Sequence, residues 1–245
     1  MPERFTVLTT GRAGSNSLMQ SIQAIAGVAT PMTHSPISSS ELLNPQLLEG
    51  FYEFYSAKTE VDLKTERELI DAFFLCNSGA RFSGFKALYS QLPCLDLLAR
   101  QQPLTLIVLL RRDVASTVAS YMVGIDRGCW VRKGESHSSG WRYNPSRKSE
   151  VCKHVARIRV GIERFLGIPG SIVVAYEDLC SETFSNPKLN SFFSDSVQID
   201  SPRPPVSGAS YVSNWGEFKA VVAACWWQWR AQGVSFERAD QWAVW

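Results

Sequence analysis

At 245 residues, 45% of them hydrophobic, the chain can bury one sizeable core and needs no second domain, so residues 1–245 are read as one unit. A net charge of +2 gives no footing for nucleic-acid binding, and the start MPERFTVLTTGR carries no apolar run after a basic segment, so a cytoplasmic protein without signal peptide or membrane anchor is expected. The six cysteines, Cys76, Cys94, Cys129, Cys152, Cys180 and Cys225, form no C-x-x-C pair and no metal spacing with the three histidines, which predicts reduced thiols and no bound metal.

The chain opens on RFTVLTTGRAGSNSLMQSIQAIAG, where a strand over about 5 to 10 meets a turn bracketed by Gly11 and Gly14. From Ser15 onward Leu18, Ile22 and Ile25 recur at helical spacing. A helix starting there leaves backbone N–H groups without intrahelical partners at the positive end of its macrodipole, which stabilises an oxyanion. Arg12 adds a full charge; Ser15, Asn16 and Ser17 add short donors. The Walker spacing fails because Asn16 stands five residues after Gly11 and Ser17 occupies the lysine place. The dinucleotide spacing fails because Ala13 occupies its second glycine.

Further along, His34, Glu41 and Glu53 come after the first helix. Asn44-Pro45 predicts a helix start, Thr65 to Glu68 a capping box, and Pro93 another helix start. FSGFKALYSQL supplies a strand over 83 to 88 that carries Lys86. LTLIVLLRRDVASTVASY, too short to span a membrane, reads as a buried parallel strand over 104 to 110 that ends in two arginines. Asp113 caps the next helix, on which Ser116 and Ser120 lie one turn apart. A guanidinium at a strand end and a hydroxyl on the adjoining helix suit the binding of one phosphate.

Residues 127–148 break the α/β rhythm. They hold six Lys/Arg against the single Glu135, with Trp130, Trp141 and Tyr143 interleaved, and read as a lid over an acceptor or as a solvated loop. Val151, Val155, Ile158, Ile162 and Phe165 form one helical stripe, and SIVVAYEDL gives a strand over 171 to 176 ending in Tyr176. Trp226, Trp227 and Trp229 pack a terminal helix, with an acceptor pocket or an oligomer contact as the other uses of such a surface. Strands alternating with helices predict a three-layer α/β/α fold around a central parallel sheet.

G-R-x-G-S-x-S after an N-terminal strand resembles the 5′-phosphosulfate loop of sulfotransferases that use 3′-phosphoadenosine-5′-phosphosulfate (PAPS). Arg112 and Ser120 stand eight residues apart, as do the arginine and serine that hold the 3′-phosphate in that family. Tyr176-Glu177-Asp178-Leu179 resembles the family's Y-E-D-L string, whose tyrosine lies near the adenine. G-F-K-x-x-Y around Lys86 and YVSNWGEF around Ser213 and Asn214 resemble segments of bacterial carbohydrate sulfotransferases. The resemblance covers most of the chain in five short motifs. It implies a P-loop-like sulfotransferase fold, PAPS as cosubstrate without a metal, and a metabolite, natural product or sugar as acceptor. Cofactor contacts are then expected from Arg12, Ala13, Gly14, Ser15, Asn16, Ser17, Arg112, Ser120, Tyr176, Ser213 and Asn214.

Arg12 and Lys86 are expected to stabilise charge at the transferred group. The K-x-H string of cytosolic members reads Lys86-Ala87-Leu88 here, so the base is sought elsewhere. His34 is the first choice, with Glu41, Glu53 and His137 as alternatives. A nucleotide kinase or a noncatalytic phosphate- or sulfate-binding module are the competing functions. The kinase would want a lysine where the loop offers Arg12. No membrane or nucleic-acid partner is expected, and a homodimer is allowed.

Overall fold

The computed structural model describes residues 2–32, 40–89, 91, 98, 103–128, 140–199, 207–231 and 236–243. His34, Pro93, Trp130 and His137 lie outside them.

Five parallel strands form one sheet: β1 (Glu3–Thr9), β2 (Val28–Ala29), β3 (Phe82–Leu88), β4 (Thr105–Leu110) and β5 (Ile172–Ala175). Their order is β2-β3-β1-β4-β5. β1 sits at the centre, pairing with β3 from Glu3↔Phe82 to Thr9↔Leu88 and with β4 from Phe5↔Thr105 to Thr9↔Leu109. The four expected strands are present within two residues. β2 is an addition to them, since a strand of two residues carries no periodicity by which to expect it.

Strand pleating divides the core into two. Phe5 and Val7 of β1 and Ile107 and Leu109 of β4 point to one face, where they meet Leu18, Met19 and Ile22 of α1 (Ser15–Gln23). Leu8, Val108 and Leu110 point to the other, against α2 (Leu48–Thr59), α3 (Glu66–Cys76), α4 (Val114–Arg127) and α5 (Lys148–Leu166). Right-handed crossovers require this split, since the chain leaves β1 toward β2 and leaves β4 in the opposite direction toward β5. The gap between β1 and β4 is therefore the topological switch point, where open α/β sheets bind ligands beyond the strand C-termini.

Local signals account for some helix boundaries. Thr65 Oγ1 accepts from Glu68 N, and the Glu68 carboxylate accepts from Thr65 N at 2.9 Å, completing the expected capping box. Val151, Val155, Ile162 and Phe165 are fully buried along α5, as their stripe predicts. The helix expected to start at Asn44-Pro45 starts at Leu48 instead. Asn44 Oδ1 accepts from Gln46 N and Asn44 O from Leu47 N, so those residues form a turn ahead of the helix.

The chain continues through α6 (Tyr176–Leu179), α7 (Pro187–Phe193), α8 (Trp215–Ala231) and α9 (Glu237–Trp242). Trp226 of α8 is fully buried, whereas Trp227 remains 37% exposed. Among the described residues no helix is long and apolar enough to cross a membrane. The expectation of wholly reduced cysteines is corrected by a disulfide between Cys152 on α5 and Cys225 on α8. The two lie 73 residues apart in sequence, and only the packing of α5 on α8 brings their Cα atoms to 5.0 Å, a proximity that spacing cannot reveal.

A covalent closure of that length restricts the unfolded chain, with an upper stabilisation of about 4 kcal/mol. Cys152→Ser, Cys225→Ser and the reduced wild type should show the same lowered melting temperature in calorimetry. Unequal losses would place the effect in side-chain packing rather than in the crosslink.

Candidate functional site

The loop between β1 and α1 takes a shape that ordinary residues avoid. Gly11, Arg12 and Gly14 all have left-handed backbone, with φ of 84°, 55° and 73°. The two glycines adopt it freely; Arg12 does so at about 1–2 kcal/mol. Strain of this kind persists where surrounding contacts over-determine it. Gly14 is the N-cap of α1 and has no side chain to occupy the first-turn N–H groups, which leaves the start of the helix with its anion-attracting character.

Three side chains from other elements build a site around this loop. Arg12 Nε donates to Ser120 Oγ of α4 at 2.9 Å, joining the loop after β1 to the helix after β4 across the switch point. Lys86 Nζ, on β3, donates to Asn16 Oδ1 at 2.7 Å and pairs with Glu41 Oε1 at 2.6 Å. The Lys86 side chain is only 5% exposed, so these two partners replace the water it has lost. The ring of Tyr176, at the end of β5, lies over Gly14, so that a Cβ on that glycine would come within 2.7 Å of the ring.

The two arginines after β4 separate by the pleat. Arg111 is buried and its guanidinium stacks on the Tyr176 ring, 4.7 Å from the ring centre. Arg112 points to the opposite face and lies over the ring of Trp242, 5.2 Å from its centre. The Glu177 carboxylate accepts from the backbone N–H of both Arg112 and Asp113, tying the end of β4 to α6. Asp113 caps α4 as expected, accepting from Ser116 N at 2.8 Å. Ser116 is fully buried and its hydroxyl accepts from Gly208 N, so of the two serines Ser120 is the one that meets the loop.

Arg12, Ala13, Gly14, Ser15, Asn16, Ser17, Lys86, Ser120 and Tyr176 thus share one end of the sheet. Ser213 and Asn214 are engaged elsewhere. Asn214 accepts from Tyr143 N and donates to Tyr143 O and to Glu217, while Ser213 N donates to Trp141 O. Together they fix the end of the 127–148 segment, helped by Trp141 Nε1 and Arg147, which both donate to Asp126 at the end of α4. Glu53 lies on the exposed side of α2. His34 and His137 are outside the described residues.

Arg111 is a site residue that sequence reasoning missed. The cue is present, since adjacent strand-end residues point to opposite faces and only one of two arginines can face Tyr176. Cys180, a free thiol next in the chain to this cluster, is pushed above its ordinary pKa by burial, which keeps it protonated and inert at neutral pH. Among the described residues no three His, Cys, Asp or Glu side chains gather as metal ligands would.

No protein-family model and no curated protein matches the sequence. Solved structures do. A sulfotransferase from Alicyclobacillus acidocaldarius superposes with a TM-score of 0.50 at 12% identity, covering 94% of this chain and 96% of that one. The sulfotransferase domain from the curacin biosynthetic pathway gives 0.45 at 17% identity over 98% and 95% of the two chains. Mouse sulfotransferase SULT7A1, complexed with PAP, gives 0.46 at 12% identity over 95% and 68%. The likeness to the Alicyclobacillus protein gives this chain the sulfotransferase fold.

The loop makes a graded prediction. Gly11→Ala adds a Cβ with nothing within 4 Å and should cost only the left-handed strain, about 1 kcal/mol. Gly14→Ala carries the same strain and also strikes Tyr176, so it should cost at least about 2 kcal/mol in denaturant unfolding. Tyr176→Ala should remove the excess. An equal loss at both glycines would show that the ring does not constrain the loop.

Proposed function

We propose that this protein transfers a sulfuryl group from PAPS to a hydroxyl or amine of a small-molecule acceptor. The hydrogen bond between Arg12 and Ser120 carries the proposal, because it brings two anion-binding elements, one after each of two adjacent strands, to a single place. A nucleotide with phosphate groups on both the 3′ and the 5′ oxygens of its ribose suits such a pair, whereas one phosphate would occupy only one element.

The residues present fit that ligand. Arg12, the N–H groups from Ala13 to Asn16 and the Ser17 hydroxyl would hold the 5′-phosphate, and Arg112 with Ser120 the 3′-phosphate. No carboxylate among the described residues neutralises the Arg112 guanidinium, so its charge remains available to an anion. When bound, PAPS supplies the sulfuryl group and its own phosphate as leaving group. Arg12 and Lys86 supply fixed positive charge for the oxygen on which charge develops, and a buried cation serves there better than a hydrated one.

Glu41 is the described carboxylate best placed to take the acceptor's proton. It reaches Lys86, and through Lys86 the loop residue Asn16. Lys86 also holds the adjoining chain by donating its backbone N–H to Ser40 O at 2.7 Å. As the carboxylate takes the proton, the acceptor oxygen or nitrogen becomes nucleophilic and the Lys86 cation is released from its ion pair to face negative charge developing nearby.

Calorimetric titration should give tight binding of adenosine 3′,5′-bisphosphate and much weaker binding of AMP. Equal affinities would overturn the two-phosphate reading. Arg12→Ala should lower turnover more than it lowers bisphosphate affinity, because backbone donors persist in the ground state.

Glu41→Gln should reduce turnover of labelled PAPS roughly 100-fold with bisphosphate affinity preserved. Full activity in that variant would pass the role to His34, for which His34→Ala is the matching test.

A further inference from the structure

Arg112 sits at the switch point with its guanidinium over the ring of Trp242. Trp242 is the last residue of α9, a helix of six residues, too short to be stable alone. Its place comes from a buried ion pair. The Arg159 side chain on α5 is 0% exposed and donates through Nη2 to Asp240 Oδ1 at 2.7 Å and Oδ2 at 2.9 Å. Arg159 also donates to Trp226 O, and Trp226 Nε1 donates to Asp240 Oδ1 at 2.9 Å. At the start of α9, Glu163 accepts from Ala239 N and from Arg238, both at 2.9 Å.

A buried ion pair seldom stabilises a fold more than apolar packing would. What this one achieves is placement, holding a short helix so that its last side chain meets the end of β4. Among the described residues the buried Trp242 indole N–H has no hydrogen-bond partner, so hydrogen bonding there does not account for a tryptophan. Its ring face on a cation does, since indole is the strongest of the aromatic faces for a guanidinium.

We infer that Trp242 is a positioning residue for Arg112. It holds the guanidinium by its flat face and leaves the edge N–H groups of the fork for an anion. This inference rests on the assignment of Arg112 to the 3′-phosphate of the donor and adds the C-terminal helix to that subsite. Without the ring, the arginine side chain must be ordered by the ligand itself, and affinity falls by that entropy.

The test is a binding cycle in the full chain, read by calorimetry with adenosine 3′,5′-bisphosphate and with AMP. Trp242→Ala should weaken the bisphosphate roughly fivefold and leave AMP within about twofold, while Trp242→Phe should retain most of the affinity. In an Arg112→Ala background, Trp242→Ala should change nothing further. Equal weakening of both ligands by Trp242→Ala, or an undiminished effect without Arg112, would overturn the inference. Should Trp242→Ala not fold, Trp242→Leu keeps the bulk without the π face and enters the same comparison. A wild type that fails to prefer the bisphosphate overturns the assignment of Arg112 itself, an outcome distinct from a preference that Trp242 does not affect.

Discussion

The pairing of β1 with β4 is the constraint on which the site depends. Parallel register from Phe5↔Thr105 to Thr9↔Leu109 sets the C-terminal ends of the two strands side by side, so that both strands deliver the chain to one place. β1 leads into a strained turn and a helix start; β4 leads into a pair of arginines and a capped helix. Neither element would amount to more than a surface feature alone. A one-residue slip would turn every side chain of the strand to the other face and point Phe5 and Val7 away from α1.

Much of this is legible in the sequence because it is encoded locally. Strands over 5–10, 104–110 and 171–176 announce themselves by apolar runs, the capping box by Thr65 and Glu68, and the α5 stripe by its period. Spacing identifies the loop glycines and Arg12, and short motifs identify Lys86 and Ser120. The rest depends on tertiary placement. Nothing in the spacing tells that Asn214 clasps the Tyr143 backbone, that Arg111 and Arg112 take opposite partners, or that Cys152 meets Cys225. Glu41 is one candidate among several in the sequence, and it is singled out only by the turn after Ser40 that brings it to Lys86.

Buried charge appears in two settings with different consequences. Lys86 is enclosed beside the loop with a carboxylate and an amide oxygen for company, and it faces the end of the sheet where ligands bind. Arg159 is enclosed between α5, α8 and α9, with a bidentate carboxylate and three aromatic rings around it. The first arrangement fixes a cation beside the loop at that end of the sheet and the second fixes architecture. The two are joined through the sheet, because α5 carries Arg159 and also packs against β4, whose end supports the site.

The left-handed backbone at Arg12 sets backbone strain against the placement of a cation at one position. Glycine would adopt φ of 55° without steric strain, so a chain with glycine there would shed that strain and lose the cation that faces Ser120. Improvement for thermal resistance alone would therefore drift toward a loop without that cation. Any stabilisation programme for this protein has to hold residue 12 fixed and gain its margin in the helical layers away from the switch point.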